Sequence, residues 1–117
     1  MSMTDRDRQV LEHILRYCDK IEKTCKRFGT DLEVFLHDSD YSDSVSMNLL
    51  QIGELAGRLT PEFSGETRME IDWRGMRNMR NMFAHDYGSM DYERIWETAV
   101  FDIPMLKAAC ITFLKAE

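Results

Sequence analysis

The chain has 117 residues, with 15 basic and 21 acidic side chains and a formal net charge of −6. This length fits one compact domain spanning residues 1–117. The acidic balance argues against a protein that coats nucleic acid through bulk electrostatics. The charged N-terminus is unlike a signal peptide, no apolar run approaches membrane-spanning length, and the three cysteines form no CxxC pair. We therefore expect a protein of the reducing cytoplasm that does not enter a membrane.

Helical periodicity dominates the first half of the chain. The segment Thr4–Asp7 resembles a capping box, and apolar residues recurring every three or four positions predict a long helix that ends at Gly29. Thr30 and Glu33 predict the capping box of a short second helix, after which residues 38–40 are expected to form a turn. A third amphipathic helix is predicted to follow this turn.

The second half of the chain is also predicted to be helical. Thr60–Pro61 should end the third helix and open an irregular loop over residues 61–71. Asp72 is expected to cap a fourth helix that stops at Gly88, and Pro104 should kink a fifth. The predicted helices span about residues 5–28, 30–37, 42–59, 73–86 and 91–117. The fold class is therefore all-α, an antiparallel bundle of four to five helices whose apolar faces include the three cysteines Cys18, Cys25 and Cys110.

Positive charge is concentrated in the fourth predicted helix. Between Trp73 and Phe83 the only ionisable side chains are Arg74, Arg77 and Arg80, so this segment carries three positive charges within an acidic chain. Such a strip on an acidic body indicates a local anionic ligand and not a broad DNA-binding surface.

The histidines do not predict a metal site. His13 lies on the polar side of the first helix and His37 in a turn, and neither has a second His or Cys at metal-ligand spacing. We expect neither a metal nor a cofactor. His85 differs from the other two because functional residue types surround it.

Four-residue spacing places Arg77, Asn81 and His85 along one side of the fourth helix. Arg80 lies about 100° around the helix from Asn81, so it can flank the same cleft. The alternative is structural, since a lone His near a helix C-terminus often only complements the helix dipole and arginines usually form a solvated face. Asn81, a weak helix former, and the accessible phenol expected at Tyr87 favour a functional site. The opposite side should face the core through Trp73, Met76, Met79 and Phe83.

The strip has the groups that metal-independent RNA cleavage requires. The ribose 2′-hydroxyl attacks the phosphorus, so the reaction needs a base, a cation for the phosphoryl charge and an acid for the leaving 5′-oxygen. Histidine side chains as a class gain and lose a proton near neutral pH, so His85 suits the proton transfers. The planar guanidinium of Arg80 suits the phosphoryl oxygens. One such histidine per chain hints at a two-fold dimer that supplies a second His85.

The sequence resembles the HepT-like toxins of the HEPN superfamily. Arg80-x4-His85-x-Tyr87 fits that family's R-x4-H-x-Y motif without a gap, and the likeness covers nearly the full length. Four further segments support it in the right order: Gln51–Ala56, Asp72–Asn78, Tyr92–Trp96 and Ile103–Leu106.

The resemblance implies a helical homodimer with the motif at the dimer cleft, acting as an RNase toxin on an RNA substrate. Its catalytic residues map onto Arg80 and His85, and its polar residue maps onto Asn81. It also implies a nucleotidyltransferase antitoxin that transfers AMP to Tyr87. An Arg-Asn pair occurs twice here, so Arg77 is left as an auxiliary phosphate contact.

Two alternatives remain open at this stage. The chain can be a non-catalytic module that binds a nucleotidyltransferase or a nucleotide, which its acidic body favours. Tyr87 can instead be a phenol that packs at a dimer interface.

Overall fold

The computed structural model describes residues 3–85 and 90–116, with the side chain of Ala84 outside that description. The described residues form helices and connecting turns, without a strand. The helices are α1 (Asp5–Phe28), α2 (Leu32–His37), α3 (Ser39–Ala56), α4 (Pro61–Glu66), α5 (Trp73–His85), α6 (Tyr92–Glu97) and α7 (Ile103–Lys115). This confirms the all-α prediction. None of the described helices is both long enough and apolar enough to cross a membrane.

The capping box at the start of α1 is confirmed. The Asp7 N–H donates to Thr4 Oγ1 at 3.1 Å, and the Thr4 N–H donates to Asp7 Oδ2 at 3.2 Å. Asp7 also accepts bonds from the N–H and hydroxyl of Thr60, both at 2.8 Å, which ties α1 to the start of α4. Burial opposes the charged form of Asp7, but the bonds from Thr60 and Thr4 outweigh it and lower the pKa of this carboxyl. Gly29 ends α1 with φ of +98°, as its position predicts.

The predicted starts of the next two helices are wrong by one and three residues, respectively. Asp31, and not Thr30, caps α2, since its Oδ1 accepts from the Glu33 N–H at 2.8 Å. The turn predicted after α2 does not form, because Asp38 caps α3 and the helix begins at Ser39. In both cases a neighbouring Asp satisfies the free N–H groups of the first turn, and Asp is a strong capping residue.

The irregular loop predicted over residues 61–71 is also wrong in its first half. Thr60 caps a short helix, α4, with Pro61 in its first turn, and Thr60 Oγ1 accepts from the Phe63 N–H at 3.2 Å. The Thr-Pro pair is therefore a helix start, where proline's missing N–H costs nothing. The α3 helix has already ended at Ala56, three residues earlier than predicted.

The irregularity predicted at Pro104 takes the form of a π-helical segment, Thr98–Asp102, between α6 and α7. The Ile103 N–H bonds to the carbonyl of Thr98, five residues back, as a π turn requires. Proline offers no N–H to the carbonyl four residues before it, so the bonding pattern changes just ahead of Pro104.

One apolar core runs through the bundle, with α3 packed between α1 and α5 and with α7 against α1. The inward residues predicted for the third helix are all buried: Val45, Leu49, Ile52, Leu55 and Leu59. Cys18 and Cys110 are buried, and burial raises the pKa of each thiol to about 12. Both therefore act as small apolar side chains, as predicted, while Cys25 is half-buried.

Candidate active site

The site is built where α5 crosses α3, and glycine sets the distance between them. A Cβ atom on Gly53 would lie 2.6 Å from Arg80 Cβ and 2.7 Å from the Met76 carbonyl oxygen, closer than real Cβ atoms approach. One turn later, a Cβ on Gly57 would lie 3.8 Å from Arg77 Nε. The backbone of α5 therefore rests directly on α3, and the arginines of α5 project along the end of α3.

A hollow of about 260 Å³ opens at this crossing, and we call it the arginine cavity. It is lined by Gly53, Glu54, Gly57, Arg58, Arg77, Arg80 and Asn81. Among the residues that the structure describes, three guanidinium groups and one carboxylate line the cavity, so this lining carries two uncompensated positive charges in a chain whose net charge is negative. An anion is the ligand that this lining favours.

Two side chains orient Arg80 within the cavity. Arg80 Nε donates to Glu54 Oε1 in an ion pair, and Arg80 Nη1 donates to Asn81 Oδ1 at 3.1 Å. The Arg80 and Glu54 side chains are each 38% exposed, so the pair borders solvent. Among the described residues, no partner takes the remaining three N–H donors of Arg80, which are free for an anionic ligand.

The structure brings three of the predicted site residues together, but not all of them. Arg77, Arg80 and Asn81 line the cavity. His85 is the last residue of α5 and is exposed, one turn beyond Asn81 and outside the lining of the cavity. Tyr87 lies outside the described residues.

The opposite side of α5 anchors the helix to the core, as predicted. Trp73 and Phe83 are buried, while Met76 and Met79 are half-buried against the core. The indole N–H of Trp73 donates to Thr67 Oγ1 at 2.9 Å. Asp72 caps the helix as predicted, accepting from the Gly75 N–H at 2.9 Å. These contacts fix the rotation of α5, and so the direction in which its arginines point.

Sequence reasoning missed two charged residues of the site. Glu54 belongs to a segment that supports the family resemblance but was given no role, and Arg58 was not singled out. Gly53 and Gly57, four residues apart on α3, were the available signal, because small residues at this spacing let two helices approach closely. Among the described residues, no cluster of three or more His, Cys, Asp or Glu side chains is arranged to hold a metal ion.

The chain is an all-α bundle with a small arginine-lined cavity, and comparison with known proteins gives its family. The chain matches the family described as Ribonuclease HepT-like over residues 14–113, and it belongs to that family. It is 32% identical over 110 residues to a "Putative RNase" of Caldanaerobacter subterraneus subsp. tengcongensis, covering 94% of this chain and 96% of the relative.

Relatives from a second organism show the same likeness. A "Putative RNase" of Methanocaldococcus jannaschii is 32% identical over 106 residues, which is 90% of this chain and 89% of that protein. A second protein of that name from the same organism is 31% identical over 106 residues, covering 90% and 85%. No solved structure gives a significant match to the chain.

Proposed function

We propose that this protein is a metal-independent RNA endonuclease of the toxin type, acting where Arg80 and His85 meet the RNA backbone. The observation that carries the proposal is the arrangement of Arg80, which Glu54 and Asn81 orient, while three of its N–H donors have no partner among the described residues. A planar guanidinium held in this way can bind two phosphoryl oxygens and stabilise the charge that develops on them.

The chemistry follows from the residue types. A base takes the proton of the ribose 2′-hydroxyl, the 2′-oxygen bonds to the adjacent phosphorus, and the bond to the 5′-oxygen breaks as an acid protonates it. His85 is the proton carrier, because it is exposed and one helical turn from Asn81. Arg80 holds the phosphoryl oxygens, with Asn81 and Arg77 in support.

A two-fold dimer would complete the site. His85 lies outside the cavity of its own chain, and one histidine cannot easily be base and acid in a single turnover. A second copy of α5 across a two-fold axis would supply the other His85. Met76 and Met79 are already packed against their own core, so Met82 is the methionine of α5 that better suits this contact. Light scattering should give a dimer at micromolar concentration, and a monomer would contradict this part of the proposal.

Control by a nucleotidyltransferase antitoxin is the finer part of the proposal. Transfer of AMP from ATP to the Tyr87 hydroxyl, with release of pyrophosphate, would place a negatively charged phosphodiester near Arg80 and a nucleotide in the cleft. With ATP and the cognate transferase, mass spectrometry should find AMP on Tyr87 and RNA cleavage should stop. Tyr87→Phe should still cleave RNA but escape this inhibition. AMP on Tyr41 or Tyr92 would contradict the assignment.

The function is tested by incubating the purified protein with total RNA in EDTA. Cleavage should persist in the chelator, and His85→Ala and Arg80→Ala should each reduce it by roughly 100-fold or more, the usual scale for proton-transfer and electrostatic groups. His13→Ala is the matched control, since His13 is an exposed histidine on α1. Circular dichroism should show that every variant keeps its helices.

Two outcomes would overturn the assignment. Loss of cleavage in EDTA would indicate a metal-dependent reaction, and an active His85→Ala protein would remove the proposed proton carrier. A protein that binds RNA, a nucleotide or a nucleotidyltransferase without cleaving RNA would support the non-catalytic alternative. Growth arrest on expression, lost in His85→Ala, would support the toxin.

A further inference from the structure

The arginine cavity has two ends that differ in charge balance. At one end Arg80 is paired with Glu54. At the other end lie Arg58 and Arg77, both exposed, and neither guanidinium group has a hydrogen bond or an ion pair with any residue that the structure describes. The two positive charges that the cavity leaves uncompensated are therefore located at this second end.

Two separate elements bring these arginines together. Arg58 follows α3, in a turn fixed by its N–H, which donates to the Leu55 carbonyl at 2.9 Å. Arg77 reaches over from α5, where its Nε lies 3.8 Å from the point that a Cβ on Gly57 would occupy. Because Gly57 has no side chain, no side chain at that position fills the space beside Arg77 Nε.

We propose that Arg58 and Arg77 form a second phosphate subsite, which binds the backbone phosphate next to the one at Arg80 in a single-stranded RNA. This rests on the proposed function, which makes RNA the substrate. Arg77 and Arg80 are three residues apart on α5, so their Cβ atoms lie about 5–6 Å apart and the two side chains can contact successive phosphates of one strand. The subsite reads the phosphates and not the bases, so it adds affinity without sequence preference.

The test uses a fluorescently labelled 2′-O-methyl RNA of about ten nucleotides, because its blocked 2′-oxygen cannot attack and binding is measured without cleavage. Affinity is measured by anisotropy between about 50 and 300 mM salt. Arg58→Gln and Arg77→Gln should each weaken binding about two- to fivefold. Each should also reduce the slope of log affinity against log salt by about 0.7, the value for one lost phosphate contact on a single strand.

Arg74→Gln is the matched control, because Arg74 is an exposed arginine on the same helix outside the cavity lining. It should leave affinity and slope unchanged. Unchanged slopes in Arg58→Gln and Arg77→Gln would overturn the subsite. A lower melting temperature with an unchanged slope in Arg77→Gln would overturn it too, and would show that Arg77 only complements the dipole at the end of α3.

A free nucleotide offers the same phosphate chemistry, so ATP is tested as a competitor. We expect ATP to displace the oligonucleotide only weakly, and ATP binding as tight as that of the RNA and dependent on Arg58 would overturn the strand assignment. The subsite and the proposed function fail separately. Binding that depends on Arg58 in a protein that cleaves no RNA would refute the endonuclease and support the subsite. Normal RNA cleavage, with binding that Arg58→Gln and Arg77→Gln leave unchanged, would refute the subsite and support the endonuclease.

Discussion

Two of the hollows that border α5 lie on opposite sides of the helix, and they differ in what they can bind. The arginine cavity, of about 260 Å³, lies against α3. The other, of about 700 Å³, lies against the π-helical segment and α7. We call it the methionine groove after Met69, Met76, Met79 and Met105 in its lining. Met69, Phe101 and Met105 are 87%, 65% and 67% exposed there.

Charge separates the two hollows more clearly than size does. The methionine groove has two arginines against four carboxylates in its lining: Arg68, Arg94, Glu70, Asp72, Glu97 and Asp102. The arginine cavity has three arginines against one carboxylate. The larger hollow therefore repels a phosphate and the smaller one attracts it. We therefore propose that the chemistry takes place on the α3 side of α5, and the following predictions test this proposal.

The largest effect is expected from Gly53→Ala. The added methyl group collides with Arg80 Cβ and the Met76 carbonyl, so α5 must move away from α3 and take Arg80 with it. Overpacking of this kind costs about 1–3 kcal/mol of folding free energy, and a displacement near 1 Å reduces catalysis roughly 100-fold. RNA cleavage and chemical denaturation measure the two effects.

Gly65→Ala is the control for Gly53→Ala, since a Cβ on Gly65 meets no atom within 4 Å. In the α4 helix this change should stabilise the protein by about 0.5–1 kcal/mol and leave cleavage unchanged. Equal activity of the two variants would show that the α3–α5 contact does not position the site.

An intermediate effect is expected from Glu54→Gln. The amide oxygen can still accept from Arg80 Nε, but the neutral bond is weaker and Arg80 is held less firmly, so kcat should fall about tenfold. Loss of a negative charge from the cavity should at the same time tighten RNA binding about two- to fivefold. Steady-state kinetics separate the two effects.

The same charge removal in the methionine groove gives the control. Glu97→Gln should change neither kcat nor RNA affinity, because Glu97 lines the other hollow. If Glu97→Gln tightens RNA binding as much as Glu54→Gln does, the RNA follows the groove and the comparison is wrong.

The smallest effect is expected from Phe101→Ser in the methionine groove. Phe101 is 65% exposed, so its loss should cost little folding free energy. Cleavage should change by less than about twofold, since no residue assigned to phosphate binding lies nearby. A large loss of cleavage in a folded, dimeric Phe101→Ser protein would place the RNA on the wrong side of α5.

The sequence alone predicts most of the helices, because the apolar residues of each helix recur every three or four positions along the chain. It fails at helix starts where two capping residues compete, as with Thr30 and Asp31, since the choice depends on the geometry of a single turn. Thr60 was mistaken for a helix end for a related reason: its partner Asp7 is 53 residues away and becomes visible only in the folded chain.

The candidate site likewise contains residues that the sequence predicts and residues that it does not. The spacing of Arg77 and Asn81 was visible along one helix, and both line the cavity. Glu54 is 26 residues from Arg80, and no local pattern shows that the two side chains pair. Arg58 joins the cavity only because α5 packs closely on α3. Long-range contacts of this kind arise from tertiary packing, which helical periodicity does not encode.

The most direct test of the central claim is to identify the ends of the products when a defined RNA is cleaved in EDTA. Attack by the 2′-oxygen at a phosphate held by Arg80 should leave 2′,3′-cyclic phosphate and 5′-hydroxyl ends, which mass spectrometry distinguishes. The 2′-O-methyl counterpart of the same RNA should stay intact, and His85→Ala should release roughly 100-fold less product. Products with 5′-phosphate ends, or cleavage of the 2′-O-methyl RNA, would contradict the account.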